Sequence, residues 1–437
     1  RTVDPMSRLR SVVLADLSAT ERRRLLRRSA VPDPEVRRVA AEICETIRLG
    51  GDQALGQAAQ RYGGGRQKLA VSRAEMSEAL RRAPASLMEA IENSAAAIER
   101  FHQGQLPMDR VVETNPGVEV TRTWTPLRRV GAYVPGGGAA YPSTLLMIAV
   151  PARLAGIERL VLASPAGADN ELSPALLAAA SWIGIEEWYV MGGAQAVAAL
   201  AHGTETIEPV EKIVGPGNAW VTAAKLAVFG VCSIDLPAGP SEVLVIANGS
   251  ADPALVAADL LCQAEHGEDS TAVLVTTSAR LVDRVEAELE RLLPRLNRRE
   301  ILAASLQRQG LAVIASDQTD LISFANEYAA EHVTILTEDP EEDAKAITAA
   351  GSVFVGVNAP ESAGDYATGA NHVLPTGGLA GACGPLSVED FGSWRQVQRL
   401  SRMGLAGIRS TITTLADAEG LDAHRLAADI RFETASS

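Results

Sequence analysis

The N-terminal stretches ATERRRLLRR, DPEVRRVAAEICETIRLGG and SRAEMSEALRRAPASLMEAIENSAAAIERFHQGQ carry apolar residues at three- and four-residue spacing, and the latter two open on Asp or Ser. That period with those starts predicts amphipathic helices through roughly the first hundred residues. From about Thr121 the period shortens. Compact β-branched runs (RVGAYV, RLVLAS, EEWYVM, EKIVG, SIDL) alternate there with Ala-rich helical stretches. A second series (VLVIA, TAVLVTTS, GLAVIAS, HVTIL, SVFVG) follows the loop PAGPSE, spaced by stretches such as RLVDRVEAELERLL and DPEEDAKAITAAG. Strands alternating with helices imply parallel sheets with helices on their faces. The expected fold class is α/β, with two tandem open Rossmann-like sheets, a helical N-terminal region and a small C-terminal helical tail. The boundaries fall at 1–120 for the helical region, 121–240 for the first sheet, 241–375 for the second and 376–437 for the tail, where TGGLAGACG leads through an irregular stretch to the final helices.

Composition narrows the class of protein. A chain of 437 residues has room for two to four domains at roughly 100–200 residues each. With 54 acidic against 40 basic residues its formal charge is −14, which argues against nucleic acid or an anionic membrane as the main partner. The basic run ERRRLLRR reads as the solvated face of a helix. The most apolar stretch, LLMIAVPARLAGIERLVLA, is broken by Pro151, Arg153, Glu158 and Arg159, so nothing is expected to span a membrane. Cys44, Cys232, Cys262 and Cys383 form no Cys-x-x-Cys pair and no disulfide framework. Cys262 reads as a small buried hydrophobe. With no signal-peptide pattern, a reducing cytoplasm is the expected compartment.

Two sets of residues carry candidate chemistry. Three strand-to-helix turns in the first sheet are rich in glycine: YVPGGGAAYP, VMGGAQAVAAL and IVGPGNAWVTAAK. Glycine lets backbone N–H groups approach a phosphate, and the following helix N-terminus adds a favourable dipole. None matches Gly-x-Gly-x-x-Gly, and each alone is a tight turn. Three at the strand ends where α/β folds bind ligands point to a nucleotide crevice.

The second set is rich in nitrogen and oxygen donors. Gln263 and His266 stand three apart on a helix opening at Asp252-Pro253, the loop ESAGDYATGANH supplies Asp365, and the C-terminal helix ADAEGLDAH supplies Glu419 and His424. Such donors suit a borderline divalent metal. A Gln-x-x-His pair alone is ordinarily a hydrogen-bonded or solvated pair; what singles it out is that only six histidines occur, four of them (His266, His332, His372, His424) in short polar loops or helix ends flanked by Glu, Asp or Asn.

The segments GAYVPGGGAAYPSTLLM, GGAQAVAALA, GPGNAWVTAAK, PAGPSEVLVIA, QAEHGEDS, YAAEH, ESAGDYATGANHVLPT and AEGLDAH follow in an order and spacing that resemble bacterial histidinol dehydrogenase, from about Ser86 to Phe432. Before Ser86 the likeness is loose. The resemblance implies oxidation of L-histidinol to L-histidine through L-histidinal, with two NAD and one Zn2+ per site, and a homodimer whose C-terminal tails exchange. It implies Gln263, His266, Asp365 and His424 as zinc ligands, and Glu331 and His332 as the acid–base pair. His332 would take the hydroxyl proton and Glu331 would activate the water that adds to the aldehyde. It places substrate contacts among Ser241, His332, Asp365, His372 and Glu419 together with the ligands Gln263, His266 and His424, and the cofactor near Tyr133, Gln195 and Asn218.

Three other readings compete. A related zinc dehydrogenase of a sulfonated or other small diol would share the ligands and turns, but Glu419 with His424 and the full NHVLPT loop favour the amino alcohol. A metal hydrolase using Glu331 would need no glycine-rich turns, and His-Glu-x-x-His is absent. A binding module without catalysis would need no acid and base beside the metal donors.

Overall fold

The computed structural model describes residues 9–66, 68–136, 140–167 and 171–433. Two compact units emerge, one of Arg1–Gln105 with Arg128–Phe391 and one of Leu106–Leu127 with Gly392–Ser437. In chain order the strands are β1 (Arg10–Val13), β2 (Arg110–Asn115), β3 (Val118–Pro126), β4 (Arg129–Tyr133), β5 (Arg159–Ser164), β6 (Glu187–Val190), β7 (Lys212–Val214), β8 (Ser233–Ile234), β9 (Glu242–Ala247), β10 (Thr271–Thr276), β11 (Leu311–Ile314), β12 (His332–Leu336), β13 (Ser352–Val355) and β14 (Gly392–Leu400).

The larger unit holds two parallel sheets, ordered β6-β5-β4-β7-β8 and β1-β11-β10-β9-β12-β13. Counting from β4 and from β9, both run third-second-first-fourth-fifth, so each reverses direction beside its first strand. That reversal is the place where open α/β sheets part to admit ligands. Helices cover both faces of the second sheet. Val243, Val245 and Ala247 of β9 enter one core and Leu244 and Ile246 the other, which is why its sequence is apolar without alternation. One face of the first sheet packs against the helix Pro34–Tyr62 through Ile43, Ile47 and Leu55.

At the carboxyl edge of the second sheet the helices Pro253–Ala264, Ala279–Leu292 and Gln318–Tyr328 begin on Asp252, Ser278 and Asp317. Each of these side chains accepts a backbone N–H of its own helix. The apolar run near residue 145 is a buried helix, Pro142–Ala155, and among the described residues no helix is long and apolar enough to cross a membrane.

Several elements differ from the sequence expectation. β1 lies in the stretch expected to be helical, and pairs in parallel with β11 some 300 residues away, a partner no local pattern reveals. β2 and β3 form a hairpin closed at Gly117 (φ +76), and β14, expected to be irregular, pairs antiparallel with β3. These strands bury little on either face, so they carry no apolar alternation to read. The smaller unit is completed by helices Arg402–Glu419 and Asp422–Glu433, tied by Arg409–Asp429 and Arg425–Asp417 ion pairs.

Candidate active site

The carboxyl ends of the first sheet run into the glycine-bearing turns. Tyr133 closes β4, Gly192 caps the helix Gly193–His202 beyond β6, and Gly215-Pro216-Gly217 lead from β7 to Asn218, the cap of the helix Ala219–Val228. Tyr133, Gln195 and Asn218 line one cleft of about 510 Å3 together with Gly63, Gly64, Gly136, Gly192 and Gly193. Gln195 Nε2 donates to the Gly63 carbonyl (3.1 Å), and the Gly193 N–H donates to the Tyr133 hydroxyl (3.2 Å). Gly215 stands at φ +108, where a Cβ would overlap the Tyr133 carbonyl, so the turn demands glycine. The helix Gly193–His202 has no side-chain cap, which leaves its leading N–H donors without an acceptor from its own cap residue. Volume and donors suit an anionic ligand of dinucleotide type. Residues 137–139, the middle of the first glycine-rich turn, lie outside the described residues.

A second cavity of about 260 Å3 adjoins this cleft, sharing Pro135 and Asn218 with it. One wall is the Pro216-Gly217-Asn218 turn. The other is the amino edge of the second sheet, carrying Ser241, Glu331 and His332, with His266, Asp365 and His372 beside them. The site thus lies between the carboxyl edge of one sheet and the amino edge of the other.

His332 opens β12 and is buried; its Nδ1 faces the Glu242 carbonyl at 3.4 Å and carboxylate oxygens of Glu331 and Glu361, each at 3.8 Å. These acceptors favour the proton on Nδ1 and leave the Nε2 lone pair free. Burial, aided by the neighbouring His266, pulls its pKa down to about 3, so the imidazole is neutral. Glu331 accepts the Glu242 N–H (2.9 Å), and burial pushes its carboxyl well above the usual range, with Glu242 and Asp365 adding repulsion. His372 is held through Nε2 by the Thr144 hydroxyl (3.2 Å) and through Nδ1 by the Asp365 carbonyl (3.2 Å); burial lowers its pKa to about 4.

Gln263 is wholly buried, and neither its amide oxygen nor its nitrogen has a partner. His266 stands at the mouth of the cavity, reachable by solvent yet surrounded by enough protein for desolvation to lower its pKa. Asp365 is raised to about 6 by burial. It sits one turn after Glu361, a fully buried carboxylate whose two oxygens accept no hydrogen bond and whose pKa burial and the nearby Asp365, Glu331 and Asp259 raise strongly. Among the described residues Cys262, Glu361 and Asp365 offer ligand atoms within 4.8 Å of one another. Buried carboxylates with open lone pairs are neutralised either by protonation or by a cation, and this donor set could hold one.

A sequence model of histidinol dehydrogenase matches residues 26–432. The chain belongs to the histidinol dehydrogenase family. It is 44% identical to histidinol dehydrogenase of Methanothermobacter thermautotrophicus over 92% of its own length and 94% of that protein. It is 45% identical to that of Halobacterium salinarum over 96% and 98%. The crystal structure of histidinol dehydrogenase from Elizabethkingia anophelis superposes with a TM-score of 0.91 at 36% identity, covering 99% of each chain. The family match begins well before Ser86, so the N-terminal arm also belongs to the histidinol dehydrogenase pattern.

Within this histidinol dehydrogenase-family chain the larger unit carries Tyr133, Gln195, Asn218, Ser241, Gln263, His266, Glu331, His332, Asp365 and His372, whereas Glu419 and His424 lie in the smaller unit, both exposed. Those two are not on one helix. Glu419 ends one, Gly420 turns left-handed (φ +70), and His424 lies in the first turn of the next. Nor is Asp365 in a loop: it belongs to the short helix Glu361–Tyr366, where Gly364 leaves room for the Phe354 ring. His266 falls just past its helix, its N–H bonded to the Gln263 carbonyl (3.2 Å). Cys262 is only partly buried and faces acidic neighbours rather than an apolar core. Glu361 escaped the sequence reading, although its four-residue spacing from Asp365 puts both on one helical face.

Proposed function

We propose that this chain oxidises L-histidinol to L-histidine through L-histidinal in the cytoplasm, using two NAD in turn and one zinc ion per site. Residues 121–240 would form its nucleotide-binding domain and 241–375 its catalytic domain. The observation that carries the reading is a single cavity in which Glu331 and His332 face the Pro216-Gly217-Asn218 turn of the dinucleotide-sized cleft. The donor set fits a metal. Gln263 has two orphaned buried amide atoms, Asp365 is a buried carboxylate, and His266 is held neutral by desolvation, as a ligand must be. His424 would complete the set from a second copy. When bound, NAD accepts hydride and the metal polarises the substrate oxygen.

The chain's own residues then handle protons. His332 Nε2 takes the alcohol proton as hydride leaves carbon, while Nδ1 stays directed at the Glu242 carbonyl (3.4 Å), with Glu331 and Glu361 beside it at 3.8 Å. In the aldehyde step Glu331, whose raised pKa makes its ionised form a stronger base, takes a proton from the water that adds to the carbonyl. A homodimer with exchanged tails is supported by the smaller unit itself, whose helices expose Met403, Leu415, Leu426 and Ile430 and whose sheet exposes Val111 and Val112. Formation of NADH from L-histidinol by the zinc-loaded protein tests the proposal. Absence of turnover, or equal turnover of a sulfonated diol, overturns it.

A further inference from the structure

We propose that Arg28 and Glu242 form a charge lock that positions Glu331 and His332 for catalysis; the inference rests on the reading of that pair as the acid and base. Glu242 supports both through its backbone, its N–H donating to Glu331 Oε2 (2.9 Å) and its carbonyl facing His332 Nδ1 (3.4 Å). Its carboxylate is buried and needs a counter-charge. Arg28, from the segment between helices Ala19–Leu26 and Pro34–Tyr62, pairs with that carboxylate, while the Gly377 N–H donates to its other oxygen (3.1 Å).

The same guanidinium also donates to the Tyr328 carbonyl and lies over the Tyr328 ring at 3.4 Å, a cation at the C-terminus of the helix Gln318–Tyr328. Beyond Tyr328 the chain turns through Ala329, whose φ of +49 is the only positive value at a non-glycine residue among the described residues, and then enters Glu331 and His332. Arg28 therefore ties together the start of β9 and the turn feeding β12, the two segments whose relative placement sets the acid–base pair. A planar guanidinium can make these contacts at once, whereas an ammonium cannot reproduce the fork.

The test uses the full chain loaded with zinc. Steady-state rates with L-histidinol, the KM for NAD, metal content and thermal unfolding are measured for Arg28→Met, Arg28→Lys, Glu242→Gln and Arg28→Met/Glu242→Gln. Misplacement of the pair predicts that Arg28→Met loses about 10- to 100-fold in kcat, with metal content and the KM for NAD within about twofold. Arg28→Lys should fall between, and the double variant should recover part of the loss because no buried carboxylate is left unpaired. A kcat for Arg28→Met within about twofold of wild type, or a loss matched by the unfolded fraction alone, overturns the lock. His332→Asn is measured alongside. Full activity there overturns the acid–base reading and the lock with it, whereas an inactive His332→Asn beside an unimpaired Arg28→Met overturns the lock alone.

Discussion

Lys225→Met should destabilise the first sheet severely. The Lys225 ammonium is 2% exposed, and its three donors are all used: on the carbonyls of Gly215 (3.0 Å) and Leu236 (3.1 Å) and on the Asp235 carboxylate. Asp235 in turn accepts the N–H groups of Gly215 and Leu236, each at 2.7 Å. Methionine nearly fills the space but leaves a buried carboxylate without its cation and two carbonyls without donors. Removing one partner of a buried pair costs about 3–5 kcal/mol, well above the 0–1 kcal/mol of an exposed pair. In a unit this large that corresponds to a fall in Tm of about 4–6 °C, read by calorimetry or circular dichroism. Lys225→Met/Asp235→Leu removes both charges and should regain part of the loss, the remainder being the Gly215 and Leu236 backbone groups that lose their partners. Because Lys225 grips the turn that ends at Asn218, the KM for NAD should rise in Lys225→Met even where the protein remains folded. A cost below about 1 kcal/mol, or a double variant no more stable than the single one, would refute the reasoning.

Prolonged chelation should strip metal and activity together, with recovery on readdition of zinc, and His266→Asn should lose metal by elemental analysis while keeping its circular dichroism, since the two cores beside it are apolar and separate. In single-turnover assays Glu331→Gln should slow histidinal oxidation more than histidinol oxidation, whereas His332→Asn should impair both; equal losses for Glu331→Gln would contradict its role. Burial lowers the pKa of His102 from 6.5 to about 4, so below pH 6.5 the unfolded chain binds a proton that the folded chain refuses. Its contribution is therefore complete above 6.5 and shrinks by about 1.4 kcal/mol per unit as pH falls toward 4, a slope that denaturant titrations should find flattened in His102→Gln. Inactive His266→Asn and His424→Asn chains, refolded together, should regain up to about a quarter of wild-type activity if tails are exchanged in a two-fold dimer. Verified heterodimers without NADH production would exclude the exchange.

The parallel sheets were legible because burial on both faces makes β9 and its neighbours continuous apolar runs, bounded by glycine turns and capped helices. β1, β2, β3 and β14 were not, since short or two-sided polar strands carry no period. The candidate site divides in the same way. Its donors announce themselves as scarce histidines beside acids, yet Glu361 acts through burial and Arg28 through a partner more than 200 residues away, neither of which leaves a local mark. The helix end at Gly420 shows the converse, where a single left-handed glycine split what reads as one helix.

The two sheets share a strand order but not a welcome for phosphate. In the second, Asp252, Ser278 and Asp317 already occupy the helix starts that would greet an anion. If a dinucleotide binds as proposed, the first sheet offers the open edge, where the helix Gly193–His202 starts without a side-chain cap. Two equivalents of oxidant would have to take turns there, with the half-oxidised molecule kept in place while the spent carrier departs and a fresh one arrives.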